Sequence, residues 1–410
     1  MSISAYHQLF VQLDRFLFNH QEYWRYQPFQ LVTRHNLGDF PWHNTNRLLC
    51  QHLEQLNDVD VEQLRQHGDR LEQWISPHIQ SLSAWLEQVS FPCSTAEDPT
   101  LQSLNASVYN GIPGRKVAQL NAMASTVLEQ HKGKRWLEWC AGKGYLGRII
   151  AAVSRQEVIS FEFQTQLCQE GQEIARQKRL PMTFVQGDAF LPAAKSVFNS
   201  DMHALALHAC GDLHVRLLEY GCEKRLPAIT IAPCCYHLTQ SEEYQPLSTA
   251  YRDALLSLSR EELRIPLQET VTGGERVKRH RQIEMTYRLG FDLIVKHELN
   301  QEEYLPVPSI KKSFLADGFV AFCHWAAEQK GYLLADIDFD NYLLLAENKF
   351  TQMEKLALVQ QAFFPLIEAW IILDKVIYLE EQGYHVTVMR FCDKSVTPRN
   401  ILIHAELAEK

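Results

Sequence analysis

The 410-residue sequence predicts an α/β fold: a doubly wound, mostly parallel sheet, with a helical N-terminal unit and a mostly helical insertion. Three observations point to it. From residue 135 onward, short apolar runs of strand length alternate with helical patterns, the signature of βαβ units. The first such run leads through a glycine turn straight into a helix. The first 90 or so residues, by contrast, show only helical spacing and no run of β-branched residues.

Residues 1–103 form the predicted helical N-terminal unit, read from HQLFVQLDRFLF and NRLLCQHLEQL. Its end, FPCSTAEDPTLQS at 91–103, gathers Pro, Ser, Thr and Asp and reads as a linker. Residues 104–240 form the predicted core: strand, turn and helix in RWLEWCAGKGYLGRIIAAV, a strand in VISFEF, a helix in QLCQEGQEIARQKRL, then strands in MTFVQGD, HALALHACGDL and PAITIAPCC. Residues 241–350 read as an insertion with a basic run, RVKRHR at 276–281, and a second basic pair at Lys311 and Lys312. Residues 351–410 are expected to complete the core. A long helix over 351–383, interrupted at Pro365 and stopped by Gly383, precedes two strands, YHVTVMRF and ILIHAEL.

Composition narrows the function classes. Hydrophobic residues make up 46% and charged residues 22%, which suits well-buried cores. No stretch approaches the roughly 18 uninterrupted apolar residues of a membrane span, so no membrane association is expected. The opening MSISAYHQLFVQLDRF lacks the basic and apolar segments of a secretory signal, and the ten cysteines follow no disulfide spacing; both predict a cytoplasmic protein with reduced thiols. The formal charge of −9 lends no support to a nucleic-acid substrate, because phosphate neutralisation needs a basic surface.

The chemistry concentrates at strand ends. In Glu138-Trp139-Cys140-Ala141-Gly142-Lys143-Gly144, the two glycines let the backbone approach a ligand and take torsions closed to other residues, while the following helix aims its amides at that ligand. A ligand-free βα turn would look the same in isolation. The next strand, however, ends in Glu162, 20 residues after Gly142, where a nucleotide fold places the acid that holds ribose hydroxyls. The third ends in Gly187-Asp188-Ala189, where Asp188 could meet an adenine amino group. Glu138, inside the first strand, is expected either to orient the turn or to meet a cationic part of the ligand. Cys140 occupies the position where such turns usually have glycine, so its backbone must accommodate a Cβ.

The fourth and fifth strand ends carry His208-Ala209-Cys210-Gly211-Asp212 and Pro233-Cys234-Cys235-Tyr236-His237. Three readings stand side by side. Cys and His are metal ligands, but no zinc-finger spacing is present, so no metal is expected. Cys234 or Cys235 could be a nucleophile. Otherwise the cysteines are small buried packers beneath a pocket lined by Tyr236 and His237.

The turn EWCAGKGYLG, the HACGDL turn, the PCCYH segment and LIEAWIILDKVIYLEEQG with TPRNILI together resemble the Cys-Cys-Tyr-His branch of class I methyltransferases, and more distantly the tRNA nucleoside 2′-O-methyltransferase. The resemblance spans about residues 110–240 and 310–405. It implies a Rossmann-like class I methyltransferase sheet, closed by a helix and β-hairpin, that binds S-adenosylmethionine. It implies donor binding by Gly142, Gly144, Glu162 and Asp188, beside which Glu138, Ala141 and Ala189 are read as further donor-site positions, and pocket or catalytic roles for His208, Asp212, Cys235, Tyr236 and His237. GIPGRK at 111–116 reads either as a segment folded over the donor, with Arg115 or Lys116 near its carboxylate, or as a solvated basic loop. RNA is the expected acceptor, with a protein, a small molecule or a non-catalytic binding scaffold as the other readings. Tyr236 stands where the tRNA enzyme has His, and that enzyme's zinc-finger cysteines have no counterpart here.

Overall fold

The computed structural model describes residues 4–34, 40–268, 275–334 and 336–409. Strands β1 (Arg135–Trp139), β2 (Val158–Glu162), β3 (Met182–Gln186), β4 (Met202–Ala206), β5 (Ala228–Ile231), β6 (Tyr384–Arg390) and β7 (Ile401–Leu407) form one sheet, in the order β3-β2-β1-β4-β5-β7-β6. The first five run parallel; β7 lies antiparallel between β5 and β6. Central strands of such a sheet are covered on both faces, which is why β4 and β5 are buried throughout and read as continuous apolar runs. Helices Tyr145–Ser154, Thr165–Gln177 and Asp212–Glu223 make the crossovers after β1, β2 and β4. Strand order reverses between β1 and β4, and in open α/β sheets the ligand crevice lies at that switch, outside the carboxyl ends of the strands.

The expected closing helix and hairpin are present, with an earlier start. The interruption expected near Pro365 separates Phe339–Gln361 from Phe364–Glu381; the first helix starts at Phe339 rather than 351, and Pro365 sits in the first turn of the second. There its missing N–H costs nothing, since first-turn amides have no helical partner. Gly383, at φ +88°, ends the helix as expected. Phe364–Glu381 is a core helix: Leu366, Ile367, Ile371, Ile372 and Val376 are fully buried.

A polar thread crosses the opposite end of the sheet. His131 Nδ1 lies 3.2 Å from His203 Nδ1 on β4, His203 Nε2 lies 2.8 Å from Thr230 Oγ1 on β5, and Thr230 Oγ1 lies 2.7 Å from His404 Nδ1 on β7. Trp136 stacks on both His131 and His203. Burial pushes all three imidazoles below their ordinary range, His203 farthest.

The chain forms two compact units. Met1–Phe18, Glu87–Leu267 and Leu366–Lys410 make the sheet-bearing unit; Asn19–Leu86 and Gln268–Pro365 make the other. These divisions differ from the expected boundaries at 103/104, 240/241 and 350/351. Helix Ala5–Asn19 joins the sheet-bearing unit: Phe10 stacks on Tyr251 at 3.9 Å, and the Asp14 carboxylate accepts from Leu255 N, Leu256 N and Trp370 Nε1. An amphipathic helix announces that it needs an apolar partner, not which one. The linker residues 91–103 likewise belong to the sheet-bearing unit, and the Arg390 amide donates to the Pro92 carbonyl at 2.7 Å.

The second unit is helical wherever its described residues form regular structure, with a core that includes Phe291, Ile294, Phe322 and Ala326. The basic run lies on its helix Glu275–Glu298. Two of its cations are paired: Lys278 Nζ with Glu62 at 3.0 Å and Arg281 Nη2 with Glu354 at 3.0 Å. Arg276, Arg279, Lys311 and Lys312 are exposed.

Candidate functional site

The turn after β1 is built on left-handed backbone. Cys140, Gly142 and Gly144 have φ of +55°, +59° and +65°. At Cys140, where the sequence offers a Cβ in place of glycine's freedom, that conformation costs roughly 1 kcal/mol. The other two glycines do different work. A Cβ on Gly144 would strike the Phe184 ring at 2.5 Å, whereas one on Gly142 would meet nothing within 4 Å. Gly142 thus faces open space at the strand ends, and Gly144 is small to let the helix pack.

Glu162, at the end of β2, closes this turn. Its Oε2 accepts from Gly142 N at 2.9 Å and its Oε1 from Gln164 N at 2.9 Å, which fixes the carboxylate beside the open side of the glycine turn. Gly187 N donates to the Glu162 carbonyl at 3.0 Å, bringing the end of β3 alongside. Asp188 is half-buried and accepts from Phe190 N at 2.9 Å, and Ala189 is buried. Ala141 is held by its amide to the Phe161 carbonyl at 3.0 Å.

Glu138 sits apart from these groups. It is 4% exposed; Oε1 accepts from Gly147 N at 3.0 Å and Oε2 from the Ser160 hydroxyl at 2.8 Å. Of its two expected roles these bonds suit the first, orienting the turn, since they tie β1 to β2 and to the helix that follows the turn. Burial pushes its pKa up to about 7, opposed by the Gly147 and Ser160 hydrogen bonds and by Arg148 and Lys116.

The segment before the domain is tied down by that same helix. Arg148 Nη1 donates to the carbonyls of Val108 and Asn110, and the Tyr145 hydroxyl donates to that of Gly111. Lys116 Nζ lies 5.5 Å from the centre of the Tyr145 ring and interacts electrostatically with both Glu138 and His208. Lys116 is therefore brought towards the strand ends, while Arg115 is exposed.

The β4 and β5 ends are joined by a bridge between Cys210 and Cys234, with Gly211 N donating to the Cys234 carbonyl at 3.1 Å. Gly211, at φ +55°, has no room for a side chain, since a Cβ would lie 1.9 Å from the Leu238 carbonyl oxygen. The Sγ atoms of Cys210 and Cys234 are 3.5 Å apart, and those of Cys210, Cys234 and Cys235 all lie within 4.8 Å of one another. Cys140 interacts electrostatically with Cys210, so the end of β1 adjoins this cluster.

Of the other pocket residues, Asp212 accepts from Gln240 N at 2.9 Å and anchors the 239–240 loop. Tyr236 is buried, and its hydroxyl donates to Glu368 Oε1 at 2.9 Å on helix Phe364–Glu381. Burial first, then the Glu368 charge, pushes its pKa far above the ordinary value, so it stands in the wall as a fixed neutral phenol. His208 is exposed and His237 half-buried. His237 Nδ1 has no hydrogen-bond partner, and burial followed by the Arg264 charge lowers its pKa. A neutral imidazole with a free nitrogen can accept a proton.

Two residues at the site escaped the sequence reading. Phe163, next to Glu162, is 63% exposed, and Phe190, next to Ala189, is 37% exposed. Exposed aromatics beside an acid at neighbouring strand ends offer an apolar face to a flat ligand. The phenylalanine one or two places after each acid was the available signal.

Residues 115–242 match the model of a family described as a methyltransferase domain. A bovine (Bos taurus) glutathione S-transferase C-terminal domain-containing protein is 31% identical over 130 residues, 31% of this chain and 20% of that protein. The chain thus spans a fifth of the length of that curated relative. Among solved structures, the SAH-bound methyltransferase PaMTH1 of Podospora anserina aligns with a TM-score of 0.32 and 9% identity, covering 80% of this chain and 94% of that one. The PH0226 protein of Pyrococcus horikoshii OT3 aligns with a TM-score of 0.26 and 10% identity, covering 33% and 66%.

Proposed function

We propose that the chain, through the methyltransferase domain at residues 115–242, is an S-adenosylmethionine-dependent methyltransferase acting on RNA. The observation that carries the donor reading is the pairing of an open-sided Gly142 with a Glu162 carboxylate fixed beside it. That cradle suits a nucleoside: Glu162 accepts from ribose hydroxyls, the Gly142 backbone allows close approach, and Phe163 and Phe190 supply apolar faces for the base. Asp188 is placed to accept from the adenine amino group. Lys116 supplies positive charge for the donor carboxylate.

When bound, the donor presents an electrophilic methyl on its sulfonium, and the protein's contribution is alignment of the acceptor with that methyl. His237, or else His208, is suited to accept the acceptor's proton. Tyr236 and Asp212 hold the loop that carries His237. The RNA reading is supported by the resemblance to the tRNA 2′-O-methyltransferase and by the exposed cations Arg276, Arg279, Lys311 and Lys312.

The test mixes purified protein and methyl-labelled S-adenosylmethionine with a lysate lacking the protein, then counts label in RNA, protein and small-molecule fractions. Glu162→Ala is expected to weaken donor binding by about 100-fold or more, the loss of two charge-assisted hydrogen bonds. Label should enter RNA and vanish with the variant. Tight binding by Glu162→Ala would overturn the donor site; label in another fraction would reassign the acceptor, and binding without transfer would make the chain a scaffold.

A further inference from the structure

We propose that Cys210, Cys234 and Cys235 form a soft-metal site for a single Zn²⁺ ion at the ends of β4 and β5, with one coordination position left for a histidine or for the acceptor. The inference goes beyond methyl transfer and does not depend on it. Its first support is convergence. Tetrahedral zinc with Zn–S bonds of about 2.3 Å sets neighbouring sulfurs roughly 3.8 Å apart. The Cys210–Cys234 separation of 3.5 Å and the 4.8 Å limit on the whole set bracket that spacing.

The second support is how the chain achieves it. Consecutive residues of an extended strand point to opposite sides, so Cys234 and Cys235 would normally diverge. Here Cys235 has φ +49°, a left-handed conformation that a residue with a Cβ adopts at a cost of roughly 1 kcal/mol. That twist turns the second thiol back to the side of the first. Any residue with a Cβ bears that cost here, and glycine alone would avoid it. Backbone strain of this kind gathers where a site needs a fixed geometry.

The third support is the surroundings. His214 is 2% exposed; its Nδ1 bonds the Ala209 carbonyl at 3.1 Å, and its buried Nε2 has no partner. A ring nitrogen tied to a backbone carbonyl, with the other left basic, is how ligating histidines are oriented. His237 Nδ1 is likewise unpartnered, and both rings interact electrostatically with Cys235, as does Arg399. Two imidazoles thus border the cluster, outside its set of converging sulfurs, and the guanidinium offsets the net negative charge that three thiolates leave on the ion. Binding balances as three thiols releasing three protons to solvent as three Zn–S bonds form.

The test uses the full chain, stripped of metal and kept reduced without a competing thiol. Co²⁺, a spectroscopic stand-in, should bind one per chain, giving an intense sulfur-to-cobalt charge-transfer band and the visible bands of a tetrahedral site, and Zn²⁺ should displace it with proton release. Cys210→Ser and Cys235→Ser should each weaken Zn²⁺ binding by about 100-fold, while Cys222→Ser, outside the cluster, leaves it unchanged. The wild-type stoichiometry and band decide the matter if those variants fail to fold. Binding below one ion per chain, or a band that survives loss of Cys210 and Cys235, overturns the proposal. Neither readout uses the methyl donor, so failure here leaves the methyltransferase reading standing, and the reverse holds too.

Discussion

At the scale of single residues, glycines with similar torsions separate fold from ligand. Gly142→Ala adds a methyl into open space at φ +59°, so the fold should lose only about 1 kcal/mol, while donor binding falls because the backbone can no longer be approached closely. Gly211→Ala, whose Cβ would meet a carbonyl oxygen, should cost more than about 3 kcal/mol and lower the melting temperature by many degrees. Calorimetry of both variants, with donor titration of Gly142→Ala, checks the pair; a Gly142→Ala protein that binds donor normally would move the ligand elsewhere. Glycine and acid at strand ends were legible because each residue type has few other reasons to stand there. Phe163 and Phe190 were not, since exposure of an aromatic is decided by what packs over it, and the left-handed turn at Cys235 was hidden because a residue with a Cβ seldom adopts it.

At the scale of elements, strands were legible because each is a short apolar run between turns, and their ends fell close to where hydrophobicity stops. The break between Phe339–Gln361 and Phe364–Glu381 was half legible: Pro365 marks it, but proline is as content in a first turn as it is disruptive in a middle one. Between elements, Glu138 clamps β1 to β2 through Ser160 and to helix Tyr145–Ser154 through Gly147. Its folded pKa of about 7 stands above the ordinary value, so the stability linked to its proton is complete below about pH 4.5 and is lost as pH rises towards 7. Glu138→Gln, which cannot ionise, should therefore gain stability relative to the parent between pH 5 and 8, measured by urea unfolding. A difference independent of pH would mean the acid is ionised throughout.

At the scale of the whole molecule, division into two units was the least legible property. Each amphipathic helix states its need for an apolar partner, and residues 19–86 and 268–365, distant in sequence, answer one another. The acid stability of the molecule rests on the sheet-bearing unit, where burial lowers the pKa of His131, His203 and His404. Groups depressed in this way favour the folded state fully above about pH 6.5 and lose that contribution as pH falls, because the unfolded chain takes up the protons first. Stability should be flat from pH 8 to 7 and fall between pH 6.5 and 5, by up to about 1.4 kcal/mol per pH unit for each histidine. A flat profile down to pH 5 in the Glu138→Gln protein, which lacks the opposing carboxyl, would show that these rings are charged in the fold.

That thread of imidazoles also keeps time. In a line of neutral rings linked through one hydroxyl, His203 engages both of its nitrogens and each end ring engages one, so the hydrogens along the line all point the same way. The ring N–H groups within the line are shielded from water by Trp136 and the sheet itself. Their hydrogens can be traded for solvent deuterium only when β4, β5 and β7 part. That exchange then reports the opening of β4, β5 and β7, written in side chains rather than in backbone amides.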